Sequence, residues 1–210
     1  MSRAATTTLV GIAVFGLSCS VTEPSGEDFA PIAALPSVAA APSPTEAPDA
    51  DLVAGVAARI RSQRRVSLTE PEINAVARTI VAESRRHAID PNLVLAVIHV
   101  ESRFDAYAVS TVGALGLMQI LPSTGAALAV SEGIDWVGPQ TLFDPIVNVR
   151  LGIAYLNEMA NRYRDTAMAL AAYNWGPGHI DRRLRLGTPM PTVYPDLVFR
   201  AYSRQRQRRS

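Results

Sequence analysis

Glu101 closes an apolar run that begins at Leu93 and takes in Val94, Leu95, Ala96, Val97, Ile98 and Val100. Asp90 is a good N-cap and Pro91 suits the first helical position, so a helix is predicted from Asp90 to Ser102 with apolar residues on most faces. A carboxyl delivered from such a core is desolvated, and at the C-terminal end of a helix it meets the negative end of the dipole. Both effects disfavour the charged form and raise the pKa toward what a general acid needs at neutral pH. Residue type alone supports a plainer reading, a Glu that ends a helix at the surface, because Glu is rarely fully buried.

Two later segments bear on that choice. Ser110 to Gln119 reads Ser-Thr-Val-Gly-Ala-Leu-Gly-Leu-Met-Gln, with Gly113 and Gly116 allowing close backbone approaches that suit a loop along a groove. Ser110 and the Gln119 amide can hydrogen-bond sugar hydroxyl or acetamido groups, and Met118 offers an adaptable apolar wall. Met118 and Ile120 fit a core equally well. Tyr173-Asn174-Trp175-Gly176-Pro177-Gly178 combines aromatics and an amide with a sharp turn, and Tyr or Trp can stack on the apolar face of a sugar ring. As packing residues, Tyr173 and Trp175 are just as reasonable.

Taken in order, Glu101-Ser102, Gly116-Leu117-Met118-Gln119 and Ala172-Tyr173-Asn174 with Gly176-Pro177-Gly178 resemble the three signatures of the soluble lytic transglycosylase family, whose fold is related to goose-type lysozyme. The resemblance runs from about Ser67 to Tyr194 and includes Asp144-Pro145, Asn148, Gly152 and Tyr155-Leu156. It implies that Glu101 is the single catalytic acid and base, that Ser110 and Gln119 hold sugars, that Met118 lines the cleft, and that Tyr173 and Asn174 position the reacting residue. The implied reaction cleaves peptidoglycan glycan strands without water: Glu protonates the glycosidic oxygen, the substrate's N-acetyl group assists, and the same Glu deprotonates the muramyl 6-hydroxyl to close a 1,6-anhydro ring. Most glycosidases use two carboxylates, and Asp105, Asp135 and Asp144 are the acids nearest the signatures that a hydrolytic muramidase of similar fold would draw on. A non-catalytic wall-binding domain is the third reading. Pro191-Thr192-Val193-Tyr194 lacks the acidic residue that many relatives carry before a late Tyr, so no contact is assigned at that rim. Trp136 is assigned neither to cleft nor to core.

Around these segments the periodicity is helical from Asp51 onward, with no convincing alternation. The expected fold is all-α and lysozyme-like, with helices over Asp51 to Arg65, from Thr69 with the stripe Ile73, Val76, Ala77, Ile80 and Val81, from Pro122 toward Val130, from Asp144-Pro145 past Met159, from Asp165 through Ala172, and from Gly176-Pro177 toward Arg185. The expected organisation is an export signal over 1–19, a disordered Pro/Ala-rich linker over 20–50, a lead helix over 51–66, the catalytic domain over 67–203 and a basic tail over 204–210. The signal has Arg3 followed by an apolar run from Leu9 to Leu17, too short for a mature membrane span. Cys19, the one cysteine, follows that run as a lipoprotein acceptor cysteine does, although Gly16 stands where Leu is usual. The protein is thus expected in the periplasm or cell envelope, with a lipid on Cys19 as its membrane tether. With one cysteine no intramolecular disulfide can form. A net charge of +1 gives no field that would select nucleic acid. His87, His99 and His179 are scattered, so neither metal nor other cofactor is expected.

Overall fold

The computed structural model describes residues 46–207, so the export signal, the Cys19 acceptor and most of the linker lie outside the described residues. Eight α-helices follow one another among them: α1 (Glu46–Arg61), α2 (Glu70–Arg86), α3 (Pro91–Glu101), α4 (Pro122–Ser131), α5 (Pro145–Tyr163), α6 (Thr166–Trp175), α7 (Pro177–Leu186) and α8 (Val193–Gln207), with a short 3₁₀ turn at Pro139–Phe143 before α5. The described residues contain no β-strand, only isolated bridges of Leu115 to Val109 and Ile120.

The helix starts follow from the cap residues. Thr69 and Glu72 form a reciprocal capping box at α2. Asp90 accepts from the Asn92 amide, Asp144 from the Ile146 and Val147 amides, and Asp165 from the Met168 amide. Helix α3 is the axis of the domain: Val94, Leu95, Ala96, Val97 and Ile98 are all fully buried, as its apolar run requires. It packs lengthwise on α8, while α2 packs on α1 and α5, and α5 packs on α6.

Three boundaries differ from expectation. Helix α1 begins at Glu46, inside the stretch expected to be linker, because Pro48 falls in the first turn, where no amide hydrogen bond is due. Helix α6 runs past Ala172 to Trp175, so that Tyr173 and Asn174 stand on a helix; Gly176, at φ +81°, ends it, and Pro177 opens α7. Helix α8 had no counterpart in the sequence reading, and it carries Arg204 to Gln207 of the expected basic tail, with Gln205 buried. Helix α1 also shares one core with the rest: Val56 and Ile60 are fully buried, and Arg59 donates to Asn92 Oδ1 of α3 at 2.9 Å.

Candidate active site

The loop after α3 turns sharply. Ser102 caps the helix, its Oγ accepting from the Phe104 amide, and Arg103 and Phe104 take successive left-handed conformations (φ +55° and +68°) that return the ring of Phe104 to the core. For non-glycine residues this costs roughly 1 kcal/mol or more each, offset here by burying a whole phenyl ring. The turn leaves Glu101 half-buried at the mouth of a cleft of about 260 Å³, which is also lined by Ser110, Val112, Gln119, Tyr155, Tyr173, Asn174 and Trp175. Among the described residues, no other that lines this cleft carries a carboxylate.

Glu101 has one protein hydrogen-bond partner among the described residues, and it comes from α8: the Tyr194 hydroxyl donates to Glu101 Oε1 at 2.5 Å. Burial pushes the Glu101 carboxyl up to about 7, and the Tyr194 hydrogen bond opposes that rise only in part. The cause is the desolvation expected from the sequence. Tyr194 itself is held well above the ordinary phenol value, by burial first and then by the charge of Glu101, so it remains a donor at any physiological pH.

The glycine-punctuated loop is braced from behind by Asn148 of α5. Asn148 is fully buried, accepts from the Met118 amide at 2.7 Å, and donates to the Leu115 and Leu142 carbonyls at 2.9 and 2.8 Å. Gly116 is obligatory here: with φ +76°, a Cβ would lie 2.3 Å from Asn148 Nδ2 and 2.4 Å from the Leu142 carbonyl oxygen. Gln119 lines the cleft, and its side-chain nitrogen donates to the Ala108 and Gly116 carbonyls at 3.1 and 2.9 Å. Both amide hydrogens are thereby used, and Oε1 is the group left to accept from a ligand. Ser110 Oγ accepts from the Ala114 amide at 2.9 Å, which leaves its own proton to donate.

Met118 is a correction. Expected in the cleft wall, it is fully buried and absent from the cleft lining, packed so closely on α5 that a Cβ on Gly152 would come within 2.3 Å of its Sδ. Its carbonyl accepts from the Tyr173 hydroxyl at 2.8 Å, so the residue fixes the wall from inside. That bond uses the Tyr173 proton, and what Tyr173 presents to the cleft is its ring, packed 5.1 Å from that of Tyr155. Asn174 is exposed on the cleft edge. Glu101, Ser110, Gln119, Tyr173 and Asn174, expected together from the sequence, do share one cleft. Missed were Tyr155 and Tyr194; the apolar positions Tyr194, Val198 and Ala201, spaced as one helical face, are the signal that would have placed α8 against the core.

The acids weighed as a second carboxylate lie elsewhere. Asp144 caps α5, Asp105 accepts from the Tyr107 amide in a separate hollow beside Arg65 and Arg103, and Asp135 is exposed. His87, which looked isolated in the sequence, meets Glu83 and Glu132 with potential ligand atoms within 4.8 Å of one another. Arg86 pairs with both carboxylates and Arg150 with Glu83, so the two negative charges there are balanced by guanidinium groups.

A helical domain that half-buries one carboxyl at the end of its central helix, over a groove of amide, hydroxyl and aromatic groups, belongs to the lysozyme-like class of folds. The 70-kDa soluble lytic transglycosylase, solved in complex with bulgecin A, shares that fold at a TM-score of 0.50 and 22% identity, over 68% of this chain and 25% of that one. The family model described as the transglycosylase SLT domain matches residues 78–188, more than half of the chain, and the chain belongs to that family. A transglycosylase of Enterobacteria phage PRD1 is 36% identical over 132 residues, which are 56% of this chain and 46% of that protein. The membrane-bound lytic murein transglycosylase C of Edwardsiella ictaluri is 40% identical over 110 residues, 47% of this chain and 30% of that protein. The chain thus spans less than half the length of these curated relatives.

Proposed function

We propose that this protein is a peptidoglycan lytic transglycosylase that cleaves the bond between N-acetylmuramic acid and N-acetylglucosamine without water. The observation that carries the reading is Glu101, the one carboxyl of the cleft, raised to about 7 by burial and so protonated in a useful fraction at neutral pH. Family membership and the names of the relatives agree with it.

In the proposed sequence Glu101 donates its proton to the glycosidic oxygen as the bond to the muramyl C1 breaks. The muramyl N-acetyl group assists at C1. The Glu101 carboxylate then takes the proton of the C6 hydroxyl, whose oxygen bonds C1 and closes the 1,6-anhydro ring, returning Glu101 to its starting state. One carboxyl suffices because the two proton transfers occur in turn. A hydrolase would draw on a second carboxylate roughly 5–10 Å away to activate water or act as nucleophile, and the cleft lining contributes none. Ser110 donates to and Gln119 Oε1 accepts from the acetamido or hydroxyl groups of the bound strand, while Asn174 holds the sugar edge beside Tyr173.

Relatives with "membrane-bound" in their names support placement at the cell envelope. A lipid on Cys19 is the proposed tether there, with 67–203 as the core of the catalytic region. Mass spectrometry of muropeptides released from purified sacculi tests the reaction. Anhydro products, one water lighter than their hydrolytic counterparts and absent with Glu101→Gln, are expected; hydrated products would make the protein a muramidase, and sacculus binding without products would make it a wall-binding domain.

A further inference from the structure

Trp175 is the last residue of α6, and it is 54% exposed although it is the largest side chain lining the cleft. An indole so exposed is not there to fill the core. Its ring is nevertheless held: Gly176, at φ +81°, folds the chain back so that His179, in the first turn of α7, stacks on it with centroids 5.0 Å apart and planes 25° from parallel. Arg182 Nη2, 3.4 Å from His179 Nδ1, in turn fixes the imidazole, with that nitrogen as acceptor. The result is an aromatic plate, backed on one side and open on another, one residue beyond Asn174.

Across the same cleft, Val112 (77% exposed) and Leu121 (41% exposed) also present apolar surface, whereas Ser110, Gln119 and Asn174 supply hydrogen-bonding groups. A lining that combines apolar faces with hydrogen-bonding groups matches a pyranose, whose axial C–H groups form an apolar face and whose hydroxyl and acetamido groups ring its edge. We infer that Trp175, buttressed by His179, is a saccharide-stacking platform that holds an N-acetylhexosamine ring next to the one being cleaved. This rests on the proposed reaction and adds to it a subsite built on the α6–α7 corner. Trp175 acts on the strand away from the reacting atoms, so it governs affinity and leaves the chemical step to Glu101.

The test uses the full-length Glu101→Gln protein and a peptide-free tetrasaccharide of alternating N-acetylglucosamine and N-acetylmuramic acid. Binding is expected to shift the tryptophan emission, and the shift should vanish in Glu101→Gln/Trp175→Phe while calorimetric affinity stays within about 3-fold, since a phenyl ring still stacks. Trp175→Ala should weaken binding about 5- to 10-fold, and in the otherwise wild-type protein it should raise KM by a similar factor with kcat within about 2-fold. His179→Ala, which removes the backing, should fall between. If Trp175→Ala leaves the tetrasaccharide affinity unchanged, or the binding-induced emission shift persists in Glu101→Gln/Trp175→Phe, while sacculi still yield anhydro products, the platform is overturned and the reaction stands. Failure of Glu101→Gln to bind the tetrasaccharide at all also overturns the platform, and absence of products from wild-type protein overturns the reaction itself.

Discussion

At Glu101, burial and a hydrogen bond pull in opposite directions, and burial wins. The folded value of about 7 lies above the ordinary 4.5, so between pH 4.5 and 7 the native state holds a proton that the unfolded chain has released. The contribution of Glu101 to stability therefore falls as pH rises through that window and is constant on either side of it. Glu101→Gln, which carries no charge, should melt with wild type at pH 4 and several degrees above it at pH 8, by calorimetry, while losing activity by about 10²- to 10⁴-fold. Tyr194→Phe removes the one interaction that lowers the Glu101 value, so the alkaline limb of the activity profile should move to higher pH; an unmoved limb would mean that the 2.5 Å bond does not tune the acid. The raised pKa of Glu101 was legible from Leu93 to Val100 because a solid apolar run forecasts desolvation. Tyr194 was not, since nothing local in Pro191 to Tyr194 records that a hydroxyl there meets a carboxyl 93 residues earlier.

At the scale of elements, the glycine-punctuated loop owes its shape to α5. Asn148 answers one amide and two carbonyls from the loop and the 3₁₀ turn, so Asn148→Leu would orphan the Met118 amide and the Leu142 carbonyl, while the Leu115 carbonyl keeps the Ile120 amide. At about 1 kcal/mol or more apiece, a loss of roughly 2 kcal/mol, or about 4–8 °C in Tm, is expected, together with weaker binding of the proposed saccharide as Gln119 shifts. Gly152→Ala should act by another route, driving Met118 off α5 and with it the Tyr173 hydroxyl that Met118 anchors; a crystal structure would show that displacement. The caps and apolar stripes of α2, α3, α5 and α7 were readable because each is a local pattern of cap, proline and period. The place of Met118 was not: an apolar residue in a loop fits wall and core alike, and only the missing Cβ of Gly152 decides between them.

For the whole molecule, α1 and α8 are the elements whose weight the sequence concealed. The expected organisation set the lead helix over 51–66 apart from the catalytic domain, yet Val56, Ala57 and Ile60 are buried in the common core. Protein beginning at residue 67 should therefore be less stable than protein beginning at 46, by about 4 kcal/mol for three buried side chains, and denaturant melts of the two would show it. Helix α8 holds α3 at both ends, through Tyr194 on Glu101 and through the Tyr202 hydroxyl on Asp90 Oδ2 at 2.6 Å. That arrangement has a meaning in time. A chain is made from its N-terminus, so Glu101, the loop with Gln119, and Tyr173 all leave the ribosome before the helix that completes the acid. A chain cut short ahead of Tyr194, by stalled synthesis or by a protease, lacks both the helix on which α3 packs and the hydroxyl that meets its carboxyl, so the proposed site is complete only once the last helix has been made.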